Sequence, residues 1–184
     1  MKLSRRVMLF ILIPMIIMVM LCFVPSGALS QEFLPDEGSF NGLRWGQYLG
    51  ELKGMKFSAY DRRYPGELYY THEGDPLQMA HVKLAYVQYG FWKGIFSSLV
   101  FGTEGRGNWE GLKDICFQNY GYWHRPDWRI ERYYWVGTQS AMTLEYDEVT
   151  SMGELYVYSK DIYERELAQK QALTGARLNR FWLY

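Results

Sequence analysis

Two runs rich in aromatic and β-branched residues, Val82 to Phe91 and Ile95 to Phe101, flank Trp92-Lys93-Gly94. Such runs joined across a short glycine-containing loop predict a β-hairpin. Strand side chains alternate between faces. Val82, Leu84, Tyr86, Gln88 and Gly90 therefore share one face, and Lys83, Ala85, Val87, Tyr89 and Phe91 the other. A lone hairpin is marginal in water, so further strands or a packed helix must complete it.

The rest of the chain offers both. Short strands are predicted over Met55 to Tyr60, Glu67 to Thr71, Arg129 to Val136, Ser140 to Tyr146 and Glu154 to Tyr158. A short helix over Gln47 to Lys53 ends at Gly54. A second helix runs from Trp109 to about Tyr120, with Asn108 as N-cap and Gly121 as terminator. In it Trp109, Leu112, Ile115 and Cys116 recur at helical spacing. Asp161 and Glu164 resemble a capping box for a final helix over Ile162 to about Leu173. Few helices and many strands with short loops predict an α+β domain, an antiparallel sheet with helices on one face in two layers. That single domain spans residues 40–173, after a linker at 31–39 and before a C-terminal tail at 174–184.

The segment before it has another character. Lys2, Arg5 and Arg6 precede an apolar run from Val7 to Val24, interrupted by Pro14. Ala28-Leu29-Ser30 then places small residues at the −3 and −1 positions before Gln31. This is the pattern of a secretory signal peptide over residues 1–30. The alternative is an uncleaved inner-membrane anchor over residues 7–24. Ser4-Arg5-Arg6 also admits the twin-arginine export route. Cys22 follows Leu21, which argues against lipid attachment there.

The whole chain is charge-balanced, with 20 basic and 20 acidic residues. Removing the leader takes away three basic residues and no acidic one, leaving a net of −3. A mildly acidic domain argues against nucleic acid as a partner. Only Cys116 remains, so an internal disulfide is excluded and the core must carry stability.

The opening Phe40-Asn41-Gly42-Leu43-Arg44-Trp45-Gly46, followed by Leu52-Lys53-Gly54, resembles a family of uncharacterised exported bacterial proteins. So do the Tyr-x-x-Tyr-Gly-Phe-x-x-Gly hairpin from Tyr86 to Gly94, the helix ending Tyr120-Gly121, and Tyr133-Tyr134-Trp135. The resemblance covers Phe40 to Tyr163. It implies a fold and an exported location, and it supplies no activity and no catalytic residues.

Candidate sites are few. After the leader the chain holds 16 Tyr, 7 Trp and 8 of its 10 Phe. Aromatics with polar edges suit sugar stacking and protein interfaces, and they also suit sheet packing. The foremost candidate is the loop Tyr122-Trp123-His124-Arg125-Pro126-Asp127-Trp128-Arg129. There Trp123 and Trp128 could stack a ring, and Arg125 and Arg129 could pair with an acidic group, beside His124 and Asp127. The competing reading is a packed connection with surface Arg–Asp pairs. His72-Glu73-Gly74-Asp75 with His81 matches no metal-ligand spacing. Gly102 to Gly107 lacks the Lys and Ser/Thr of a phosphate-binding loop. No Gly-x-Ser-x-Gly elbow occurs, and the three histidines form no readable acid–base pair. No cofactor and no metal are expected.

The sequence therefore predicts a periplasmic or extracellular protein acting as a non-catalytic binding or envelope-assembly module. Its expected partner is an envelope protein or a glycan, with membrane contact only through an uncleaved leader. The alternative is a small periplasmic hydrolase whose site joins distant residues, such as His124 with Asp127 or Glu145.

Overall fold

The computed structural model describes residues 39–40, 42–60 and 66–181, with side chains described as far as Ala172. The leader, most of the linker and the last three residues lie outside it. Among the described residues no helix is long and apolar enough to cross a membrane.

The chain forms the expected α+β class. A minimal hairpin, β1 (Ser39–Phe40) with β2 (Leu43–Arg44), leads to a 3-10 turn at Leu49–Glu51. The strands β3 (Met55–Tyr60), β4 (Glu67–His72), β7 (Tyr86–Trp92) and β8 (Ile95–Glu104) form one antiparallel meander. Between them β5 (Gln78–Met79) and β6 (Val82–Lys83) make a separate small hairpin. Helix α1 (Arg106–Tyr120) follows β8. A second meander, β9 (Arg132–Val136), β10 (Ser140–Asp147) and β11 (Met152–Ser159), returns so that β11 pairs with β8. The seven-stranded sheet has the order β3-β4-β7-β8-β11-β10-β9, with β3 and β9 as its edges. Helix α2 (Lys160–Phe181) continues from β11.

Three local outcomes differ from the sequence pattern, each for a physical reason. The run from Val82 is two elements, because Leu84 and Ala85 break out of strand geometry before Tyr86. The alternation therefore changes phase. Val82 and Leu84 are buried together with Val87, Tyr89 and Phe91, not opposite them. The hairpin turn is two residues long. Trp92 pairs with Ile95, and both Lys93 (φ 50°) and Gly94 (φ 78°) are left-handed, the geometry that matches the twist of the flanking strands. The proposed helix over Gln47 to Lys53 shrinks to one 3-10 turn, in keeping with Gly50 at its centre.

The helices also begin earlier than their predicted caps. α1 starts at Arg106, and Asn108 lies inside it, its side-chain amide donating to the Glu104 carbonyl. α2 starts at Lys160, where the Ser159 hydroxyl accepts from the Ile162 N–H, and it runs through most of the segment assigned to a tail.

The main core lies where α1 meets the sheet. Trp109, Leu112 and Cys116 are fully buried on one helix face. They meet strand residues such as Leu99, Phe101, Leu144 and Leu155 in one hydrophobic cluster. Gly153 makes room for the Trp109 ring, since a Cβ there would stand 2.5 Å from Trp109 Cε3. Burial pushes the Cys116 thiol up, so it behaves as a small apolar side chain rather than a nucleophile. The segment ahead of β3 closes one end of this core, with Trp45 stacked on Phe96 at 4.7 Å.

The other sheet face is more polar. It carries Glu154 opposite Glu145, Tyr156 opposite Thr143, and Tyr158 opposite Ala141. Tyr86 donates to Glu154, and Arg132 pairs with Glu145. Helix α2 starts against this face, where Tyr163 packs on Tyr158 with ring centroids 5.0 Å apart.

Candidate functional site

The loop between α1 and β9 is fastened at both ends to α1. At its start, Trp123 stacks on Phe117 of α1 (5.3 Å, 20°) and meets Tyr133 of β9 edge-on (5.1 Å, 80°). At its finish, Glu131 receives Lys113 Nζ at 2.9 Å and Arg106 Nη1 at 2.8 Å, both from α1. Burial acts upward on the Glu131 carboxyl, but the hydrogen bond and charge of Lys113 and the charge of Arg106 outweigh it and hold it below 4.5. The Glu131 carbonyl also accepts from the Tyr146 N–H, which ties the loop to β10.

Between these anchors the loop organises itself. His124 exchanges both backbone hydrogen bonds with Tyr134, at 3.0 and 2.9 Å. This covers part of the outer edge of β9, which would otherwise offer unpaired backbone groups. Arg125 then folds back. Its Nε donates to the Ile130 carbonyl at 2.9 Å and its Nη2 to the Trp128 carbonyl at 2.6 Å. Its guanidinium lies over the Tyr133 ring at 5.3 Å. Asp127 accepts from the backbone N–H, Nε and Nη2 of Arg129, each at 3.0 Å. The Arg129 side-chain and backbone hydrogen bonds hold the Asp127 carboxyl below its ordinary range.

These contacts sort the six candidate residues. Trp123 is packed against α1 and β9, His124 is held by its backbone, and Arg125, Asp127 and Arg129 are engaged within the loop. His124 and Arg129 are exposed as well, but Trp128 is the large apolar side chain of the six that stands outward, 81% exposed on a backbone clamped by Arg125. Tyr122, also in this loop and 95% exposed, joins it as an outward aromatic. The sequence marked the loop but could not rank its residues, because exposure depends on where Phe117 and Tyr133 come to lie. The clamp role of Arg125 carries no sequence signature, since its acceptors are main-chain carbonyls.

Both carboxylates named for a hydrolase are engaged by arginines. Asp127 is engaged by Arg129, and Glu145 is paired with Arg132 on the neighbouring strand. The turn after β4 holds a small polar cluster. Asp75 lies 3.1 Å from His72 Nδ1 and accepts from the Tyr89 hydroxyl at 2.7 Å. Among the described residues no three His, Cys, Asp or Glu side chains gather as a metal site would require.

No family model, no curated protein and no solved structure matches this chain.

Proposed function

We propose that this chain is an exported, non-catalytic binding module of the bacterial envelope, and that it engages its partner through the loop at 122–130. The supporting observation is Trp128. A large aromatic side chain stands in water on a loop fixed at both ends and clamped at its middle. Exposed apolar surface of this kind has a cost, and a rigid loop loses little entropy when it binds. Trp and Tyr also dominate the contacts that carry binding energy at interfaces. The resemblance to exported bacterial proteins and the leader pattern support the location.

In-cell photo-crosslinking tests this reading. A crosslinking side chain in place of Tyr122 is expected to capture an envelope component, and the same group in place of Val149, 94% exposed on a different turn, is not. Trp128→Ala is expected to abolish the capture at position 122, and the mass of the adduct separates a protein from a glycan. Equal yields at positions 122 and 149, or capture indifferent to Trp128→Ala, would remove the loop from the reading. N-terminal sequencing of the processed chain is expected to start at Gln31.

A further inference from the structure

Two buried acidic side chains, one on the sheet and one on α2, act on each other electrostatically, and nothing in the binding loop uses them. Glu67 on β4 is 2% exposed. Its carboxyl lies over Gly90 of β7, where a Cβ would stand 2.5 Å from Oε1. Oε1 accepts from Ser97 Oγ at 2.5 Å and Ser98 Oγ at 2.6 Å, and Oε2 accepts from the Tyr69 hydroxyl at 3.2 Å. Ser97 is the extra residue of a bulge. Gly90 pairs with Ser98 and Phe91 with Phe96, so both serines can reach the same carboxyl.

The helix brings a second carboxyl to this place. Glu166 of α2 is 4% exposed, and its charge acts on Glu67. Ile162, one turn earlier, is buried as well. Lys170, one turn later, lies 2.7 Å from Glu166 Oε1 and supplies the positive charge on the helix side. The groups facing Glu67 are therefore Tyr69 on its own strand, Ser97 and Ser98 on β8, and Glu166 with its Lys170 partner on α2.

We propose that the docking of α2 on the sheet is proton-linked through Glu67, the buried carboxyl on which the helix sets the charge of Glu166, so that the helix is held most firmly in acid and loosens as pH rises. A buried carboxyl under the charge of a second one is favoured in its neutral form. Burial acts first in that direction and the Glu166 charge adds to it, while the hydroxyls of Ser97, Ser98 and Tyr69 act against them. The net effect is a Glu67 carboxyl held above 4.5. Lifting α2 takes the Glu166 charge away and lets Glu67 fall back toward that ordinary value. The proton is bound more tightly in the docked state, so docking is complete below 4.5 and weakens as pH rises through the docked value.

Amide hydrogen exchange on the full chain, corrected for intrinsic rates, tests this across pH 4 to 8. Protection of residues 160–172 is expected to fall with rising pH, by up to about tenfold per pH unit for one linked proton. Protection of α1 serves as the internal reference and is expected to hold. Glu67→Gln keeps the shape and removes the titration, so its α2 protection should not depend on pH. If that variant does not fold, as judged by α1 amides, Glu166→Gln replaces it and should raise α2 protection at pH 8. A wild-type α2 whose protection is flat with pH would overturn the proposal. So would a folded Glu67→Gln variant with the wild-type slope, or a Glu166→Gln variant with unchanged protection at pH 8.

Discussion

Replacing each loop tryptophan by alanine separates an anchor from a contact. Trp123→Ala removes a ring stacked on Phe117 at 5.3 Å and edge-on to Tyr133 at 5.1 Å. Truncating a fully buried Trp costs about 3–5 kcal/mol, so a half-buried one should cost about 2 kcal/mol. The lost aromatic geometry adds about 1 kcal/mol. The expected destabilisation is thus about 3 kcal/mol. Trp128→Ala removes a side chain 81% exposed, and a surface change of that kind should stay within about 0.5 kcal/mol. With a urea slope of about 2 kcal/mol/M, the midpoints should fall by roughly 1.5 M for Trp123→Ala and by less than about 0.3 M for Trp128→Ala. Far-UV circular dichroism is the suitable probe, since both variants alter tryptophan fluorescence directly. The slopes should match the wild type. A Trp128→Ala variant as destabilised as Trp123→Ala would refute the division of labour between the two residues.

Three further outcomes follow from particular contacts. Arg125→Ala frees the carbonyls of Trp128 and Ile130, and fluorescence quenching by acrylamide should show a more accessible, more mobile loop while the midpoint moves by about 1 kcal/mol or less in equivalent energy. Gly153→Ala places a methyl 2.5 Å from the Trp109 ring, and denaturant unfolding should show a loss of about 1–3 kcal/mol. The carboxyl of Glu131 is held below 4.5, so its contribution to stability is present above that value and is lost as pH falls through the folded one. Glu131→Gln should flatten that acid limb in a series of thermal melts between pH 2 and 5.

Much of the architecture was legible in the sequence because strand and helix periods are local. Met55 to Tyr60 forms β3 with the expected bounds, and the span from Trp109 to Tyr120 lies wholly within α1. The class follows from the same counting. The failures mark places where a neighbour decides. Val82 joins the core through a separate hairpin, so its alternation with Val87 could not be read along one strand. Nothing local distinguished Ser159 from Asp161 as the start of α2, since either side chain can cap a helix.

The sequence by itself determined most of the longer elements, the lone thiol and acidic balance of residues 31–184, and the loop at 122–129 as the place to look. Only the tertiary structure decided what those residues do. Trp123 and Trp128 are the same residue type five positions apart, and one is packed while the other stands in water, because Phe117 and Tyr133 meet only the first. Glu67 and Glu166 lie on distant stretches of chain, and only the return of α2 to the sheet brings the charge of one to bear on the other. Periodicity is a property of the backbone and shows in a few consecutive residues. Burial and charge proximity are properties of the packed chain and appear only when remote segments share the same space.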